Sequence, residues 1–199
     1  MTDMLQILKD DINLALNEAT IIGFDFDENK RIVCVTFFPI AIQENGTIPE
    51  DNRFLFVFRN VGRLAASLTL DNGEPAIIFK PNELADKMDE YRYGSIYGWE
   101  FIDNKEGLFE TWEDNKSFDL VLNNSFAEQH TVDLFQEDNY SHKSIILRIW
   151  FDYIDIFDSN LQKFDMQLFA ENGKRGWTKL YKNGWHEEIP LYQKLIFKE

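Results

Sequence analysis

Two aspartates at the end of an apolar run are the first residues in the chain that could do chemistry. Asp25 and Asp27 close the stretch IIGFDFD, and an Asp-x-Asp after a hydrophobic strand is where aspartate-based phosphotransferases keep their nucleophile and general acid. Those enzymes place a small residue and then threonine or valine after the second aspartate, whereas Glu28 and Asn29 follow here. Strand alternation turns both aspartates toward solvent, and DENK is typical of a turn. We therefore expect an acidic hairpin, and we predict no catalytic residues.

A second acidic stretch, FDYIDIFDSN, raises the alternative of a divalent cation bound by carboxylate oxygens. Asp152 and Asp158 share one face of a strand and Asp155 lies on the other, so only a bend near Asp155 would bring them together. This alternative is a carboxylate-dependent metal enzyme or a ligand-binding domain, and its stabilisation by calcium, magnesium or manganese would support it. Its ligands would be Asp25, Asp27, Asp152 and Asp155.

Net charge gives the leading functional interpretation, a protein that binds a basic partner and needs no cofactor. Twenty Lys and Arg against 35 Asp and Glu give a formal charge of -15, which disfavours nucleic acid and membrane surfaces as partners. The segment from Glu100 to Asp138 holds 11 acids and two bases, so a basic protein would be attracted to it. The predicted partner-binding residues are Tyr97, Trp99, Glu100, Asp103, Glu106, Glu110, Glu113 and Asp114.

The aromatic pair in this set leaves a third possibility open. Tyr97 and Trp99, beside Glu100, could stack on a sugar ring, because carbohydrate sites combine aromatic faces with carboxylates. Packing in the core of a strand is the competing explanation. Tryptophan fluorescence during titration with sugars would discriminate a carbohydrate-binding domain from a protein-binding one.

The spacing of apolar residues predicts an α+β fold. An amphipathic helix is predicted from about Asp3 to Glu18, with Leu5, Leu8 and Ile12 on its buried stripe, and a short helix near residues 82–91. Runs of β-branched and aromatic residues predict a mainly antiparallel sheet, a meander that could divide into two packed sheets. The predicted strands are 20–26, 31–38, 53–59, 64–70, 76–79, 96–102, 108–112, 118–122, 131–135, 144–157, 161–169 and 177–181.

Length and composition predict one domain over residues 1–199, with two packed halves meeting near 81–95 as the alternative. The chain has no apolar run of membrane-spanning length and no basic leader, so we expect a cytoplasmic location, while the oligomeric state stays open. Cys34 is the only cysteine and is expected to be a small buried hydrophobe. The three histidines lack metal-ligand spacing and are expected at the surface: His130, His142 and His186.

The stretch LALNEATIIGFDFDENKRIVCVTFF, followed by NRFLFVFRNVGRLAASL, resembles the opening of small acidic bacterial domains, including immunity proteins of polymorphic-toxin systems. In that pattern a short helix leads to a strand, a hairpin and a further strand ending Phe-x-x-Val, which Phe58 and Val61 supply. Its His-Asp pair is missing here, where residues 17–19 read NEA. The resemblance covers residues 14–70 and implies a non-catalytic protein that neutralises a basic toxin, such as a nuclease, by binding it.

Overall fold

The computed structural model describes residues 4–69, 77–90, 95–101, 116–123, 130–137 and 143–183. Within them the helices are α1 (Met4–Leu16), α2 (Leu84–Glu90, after a 3-10 turn at Pro81–Glu83) and α3 (Met166–Asn183). The strands are β1 (Thr20–Asp27), β2 (Ile32–Phe38), β3 (Phe54–Arg59), β4 (Arg63–Thr69), β5 (Ser95–Phe101), β6 (Lys116–Val121), β7 (His130–Glu137), β8 (Ser144–Phe151), β9 (Tyr153–Phe157) and β10 (Lys163–Phe164). The predicted α+β class, the N-terminal helix and the short second helix are confirmed.

The first section of the sheet has the strand order β1-β2-β3-β9-β10, and all its pairings are antiparallel. The predicted meander is limited to β1, β2 and β3, because β3 next pairs with β9 from the far end of the chain. Alternation along β3 places Phe54, Phe56 and Phe58 on the inner face, where they join the hydrophobic core.

The second section has the order β5-β7-β8-β4-β6 and is joined to the first in two ways. Thr20 of β1 pairs with Ser95 of β5. In addition, β3 continues into β4 past Asn60, whose φ is 54°, and β8 continues into β9 past a break at Asp152. Two long bent strands therefore run side by side through both sections, an arrangement that lets strands cross from one sheet to another.

The helices cover the inner face of the first section. Phe169 of α3 packs edge-on against Phe54 and Phe56, with ring centroids 5.0 and 5.2 Å apart. Gly173 lets α3 approach α1 closely, since a Cβ at this position would lie 2.2 Å from the Cβ of Ala15. Buried residues of all three helices and of both sections belong to one hydrophobic cluster. No helix in the described part of the chain is long and apolar enough to cross a membrane.

Three predicted strands are wrong. Residues 77–80 carry neither helix nor strand, although a strand was expected at 76–79. The strand expected at 161–169 is reduced to the two residues of β10, because α3 begins at Met166 and also contains the strand expected at 177–181. Asp165 starts this helix by accepting the backbone N–H of Leu168 at 2.8 Å. The strand predicted at 108–112 lies outside the described residues.

Candidate protein-binding surface

Three of the predicted partner-binding residues lie on β5, in the second section. Tyr97, Trp99 and Glu100 belong to a strand that pairs with β7, where Glu100 lies opposite Asp133. The prediction that this acidic segment binds a partner rests on the sequence. The described residues form a further candidate binding surface. The other five predicted residues fall outside the described ranges: Asp103, Glu106, Glu110, Glu113 and Asp114.

The second surface is the outer face of the first section, on the side of the sheet away from the helices. Strand register arranges it as three rows across β1, β2, β3 and β9, and we call it the outer grid. Its rows are Asp27, Ile32, Arg59 and Tyr153; Asp25, Cys34, Val57 and Asp155; and Gly23, Thr36, Leu55 and Phe157. Every member except Val57 retains partial or full solvent exposure. The central members form what we call the apolar patch: Ile32, Cys34, Thr36, Leu55 and Val57.

Two acids form the β1 margin of the outer grid. The carboxylate of Asp27 lies 2.8 Å from Nζ of Lys30 and accepts the backbone N–H of that residue at 3.0 Å. These bonds hold the pKa of Asp27 below its ordinary value. Asp25 is exposed and accepts the backbone N–H of Phe26 at 2.9 Å, but it pairs with no cation among the described residues. Asp25 therefore presents an exposed carboxylate beside the apolar patch that makes no direct ion pair among the described residues, although Lys30 interacts with it through space.

At the β9 margin of the outer grid, cations of the same chain neutralise the carboxylate. Asp155 receives Nε of Arg59 at 2.6 Å and Nζ of Lys163 at 2.7 Å. Burial alone would raise the pKa of Asp155, but the bonds from these two cations lower it below its ordinary value. Asp152, at the break between β8 and β9, accepts a hydrogen bond from the side-chain amide of Asn60 at 3.0 Å. Both aspartates thus have partners that hold the sheet together.

The four aspartates of the metal alternative are not brought together. Asp25 and Asp155 share a row of the outer grid but are separated by β2 and β3, which places them about 14 Å apart. Among the described residues, no group of three or more His, Cys, Asp or Glu is placed to hold a metal ion. The arrangement of these carboxylates is that of ion pairs and hydrogen bonds along the sheet.

Two single residues differ from the sequence-based expectation. Cys34 is half-buried at the centre of the apolar patch. Burial raises the pKa of its thiol and Asp25 raises it further, while Arg59 opposes them, so the thiol is protonated at neutral pH. The expectation that His130 lies at the surface is wrong: it is buried, and its ring lies 5.6 Å from that of Phe151.

The outer face of the second section carries a different structure, an ion-pair network that we call the arginine lattice. Arg148, whose side chain is 3% exposed, donates from Nε and Nη2 to the two carboxylate oxygens of Asp133, both at 2.6 Å. Arg63 does the same to Asp119 at 2.9 and 2.7 Å. Both guanidinium groups lie against the ring of Trp150, 5.1 Å away for Arg63 and 5.8 Å for Arg148.

A pattern in the sequence indicates the apolar patch, although the strand prediction did not make use of it. The strands β2, IVCVTFF, and β3, FLFVFR, are apolar at consecutive positions rather than alternate ones. Such runs are typical of strands covered on both faces. Here the helices cover the inner face, and the second set of apolar side chains forms the patch on the outer face.

Comparison of the chain with protein-family models, with curated proteins and with solved structures gave no match. Function must therefore be inferred from the sequence and from the described residues. The sequence contributes the acid-rich segment of residues 100–138, and the structure contributes the outer grid with its apolar patch and the exposed Asp25.

Proposed function

We propose that this chain is a non-catalytic bacterial protein that binds a basic protein through an acidic surface, in the manner of a cytoplasmic immunity protein that neutralises a toxin. The observation that carries the proposal is the distribution of charge. Residues 102–115 hold five acids and one lysine, in a chain whose net charge is -15. In the described part of the sheet, by contrast, the carboxylates of Asp119, Asp133 and Asp155 are matched by arginines of the same chain.

This distribution is suited to binding a basic protein. Carboxylates that are matched within the sheet contribute little to the field outside it, whereas surplus acids attract cations over a Debye length of about 8 Å at physiological salt. A toxin that acts on nucleic acid needs a basic surface for the phosphate backbone. An acidic protein that covers this surface would block the toxin by competing with its substrate, without any bond being made or broken.

The proposal is tested with the product of the gene adjacent to the one that encodes this chain. The two proteins are co-expressed in a bacterial host to see whether this chain restores growth, and their affinity is measured with purified proteins. We expect the triple variant E106Q/E110Q/E113Q to weaken binding at least about tenfold at physiological salt, because three surplus charges are removed. The loss should shrink as salt is raised, since screening already weakens the wild-type complex.

The control removes the same number of charges elsewhere. Asp10, Glu50 and Asp86 are exposed acids on α1, in the loop before β3 and on α2. The variant D10N/E50Q/D86N should change affinity by less than about threefold, because it removes the same number of negative charges without touching the acid-rich segment. Equal losses in the two triple variants, or binding that is insensitive to salt, would contradict the proposal.

A further inference from the structure

The apolar patch lies on the face of the sheet opposite the three described helices. The inner residues of β3 lie under α3, as the contacts of Phe169 with Phe54 and Phe56 show. Buried residues from each of the three described helices belong to the core cluster. On the outer side Ile32, Leu55 and the more deeply buried Val57 are apolar, and Ile32 and Leu55 retain partial solvent exposure. Contiguous apolar surface of this kind on a folded protein is typical of an interaction site.

Charge at the margins of the patch indicates what would cover it. The β9 margin is neutralised because Asp155 binds both Arg59 and Lys163. The β1 margin is acidic, since it carries Asp25 and Asp27 with Lys30 as the neighbouring cation, and Lys30 bonds directly to Asp27 and interacts with Asp25 only through space. A fitting partner therefore presents aliphatic side chains to the patch and a lysine or arginine to Asp25.

The charge of the chain argues for a different protein rather than a second copy, and the size of the grid requires that protein to contact residues beyond it. Four strands spaced about 4.8 Å apart and three rows spaced about 6.7 Å apart cover on the order of 400 Å². A stable interface buries about 800 Å² on each partner. Two copies would also bring together two chains of charge -15, which repel each other. A basic partner is attracted instead.

We infer that the apolar patch and Asp25 form the docking surface for a basic protein, which places an aliphatic surface on β2 and β3 and a cationic side chain on Asp25. This inference rests on the proposed function, and it assigns part of the contact to described residues outside the acid-rich segment. The partner's cation gains a carboxylate that no cation of the described chain occupies. The aliphatic contact removes the outer residues of both strands from water.

The first test measures the affinity of the basic partner identified by co-expression for two variants of the outer grid. Asp25→Lys reverses the exposed carboxylate, and Thr36→Lys places a cation within the apolar patch. Each should weaken binding at least about tenfold. The matched control is Asp10→Lys on α1, which makes the same charge change on the helical side and should alter affinity by less than about threefold. Urea unfolding of each variant confirms that the fold is retained.

The second test uses Cys34 as a reporter, because it is the only cysteine and lies within the apolar patch. A benzophenone maleimide attached to Cys34 should either cross-link to the partner on illumination or prevent binding. The same label on an Asp10→Cys variant, in a Cys34→Ser background, should do neither.

The outcomes separate this inference from the proposed function. If the partner binds Asp25→Lys and Thr36→Lys with wild-type affinity while E106Q/E110Q/E113Q weakens binding, the proposed function stands and this inference is wrong. If no basic protein binds, both are overturned. If sedimentation shows a dimer that Thr36→Lys dissociates, a second copy occupies the patch and the inference is also overturned.

Discussion

The two sections of the sheet share one core but use their outer faces differently. In the second section, the outer face carries the arginine lattice, in which Arg148 is 3% exposed and bound by Asp133. In the first section, the corresponding face carries the apolar patch, and its ion pairs lie at the margin, where the side chain of Lys163 is 73% exposed. One outer face is closed by interactions within the chain, and the other is open to contacts with another molecule.

Because of this difference, substitutions on the two outer faces should have different effects. A buried, doubly hydrogen-bonded pair cannot lose one member without leaving a desolvated charge, whereas an exposed pair can exchange its partner for water at little cost. Substitutions in the arginine lattice should therefore damage the fold. Substitutions in the outer grid should leave the fold intact and change what it binds.

The largest expected effect comes from removing one carboxylate of the arginine lattice. Asp133→Ala should lower the free energy of unfolding by about 3 kcal/mol, because the buried Arg148 would lose its two short hydrogen bonds to a carboxylate. The matched change in the first section, Asp155→Ala, should cost less than about 1 kcal/mol, since its partners Arg59 and Lys163 are both more than one-third exposed. Urea unfolding of both variants measures the difference.

A double variant checks the cause of that loss. Replacing both members of the pair, as in Asp133→Ala with Arg148→Met, removes the unpaired charge and should recover part of the stability lost in Asp133→Ala. Equal costs for Asp133→Ala and Asp155→Ala would show that the two sections do not differ in the way we describe.

The next effect concerns the covered inner face. Gly173→Ala should lower the free energy of unfolding by about 2 kcal/mol, because the new methyl group would overlap Ala15 and push α3 away from α1. Thr36→Lys on the open outer face should change it by less than about 1 kcal/mol. Adding Ala15→Gly should partly restore Gly173→Ala, and a Gly173→Ala variant as stable as the wild type would disprove the close helix contact.

Lowering the pH should reveal a smaller difference between the two sections in how their ion pairs contribute to stability. Burial would raise the pKa values of Asp119 and Asp155, but their cationic partners lower both below the ordinary carboxyl value. Since the folded-state pKa lies below that of the unfolded chain, each pair stabilises the fold above about pH 4 and loses this contribution as pH falls through the folded-state pKa.

Urea midpoints measured between about pH 2 and 6 test this point. Asp119→Asn should reduce the dependence of unfolding free energy on pH in acid more than Asp155→Asn does. The reason is that Arg63 beside Asp119 is less exposed than Lys163 beside Asp155, so water screens its bond less. If the stability of both variants depends on pH as that of the wild type does, these two carboxylates do not cause the loss of stability in acid.

The sequence was sufficient to predict most elements but not α3. The residues Phe169, Gly173, Trp177 and Leu180 are buried or serve the helix contact, and their spacing of four, four and three is helical. Glycine and aromatic residues lower intrinsic helix propensity, and they made the same stretch resemble strands. Tertiary packing against α1 overrides that propensity, because the glycine is what permits the close approach.

The outer grid could not be predicted from the sequence for a different reason. Local patterns identify β3 and β9 as strands, but nothing local specifies that they pair. Arg59 and Asp155, which bind each other across this pairing, lie 96 positions apart in the chain. The acidic margin at Asp25 could be predicted from alternation in one strand, whereas the neutralised margin at Asp155 depended on a long-range register.

The smallest predicted effect tests the edge of the open section. Leu161, in the hairpin between β9 and β10, is 68% exposed and has a φ of 59°, a conformation that glycine adopts more readily than leucine. Leu161→Gly should raise the free energy of unfolding by about 0.5 kcal/mol, because it relieves this strain and little buried surface is lost. Leu168→Gly is the matched control: this residue is also exposed but lies within α3, so the same replacement should cost about 1 kcal/mol. Thermal unfolding that shifts in the same direction for both variants would show that the backbone at Leu161 is unstrained.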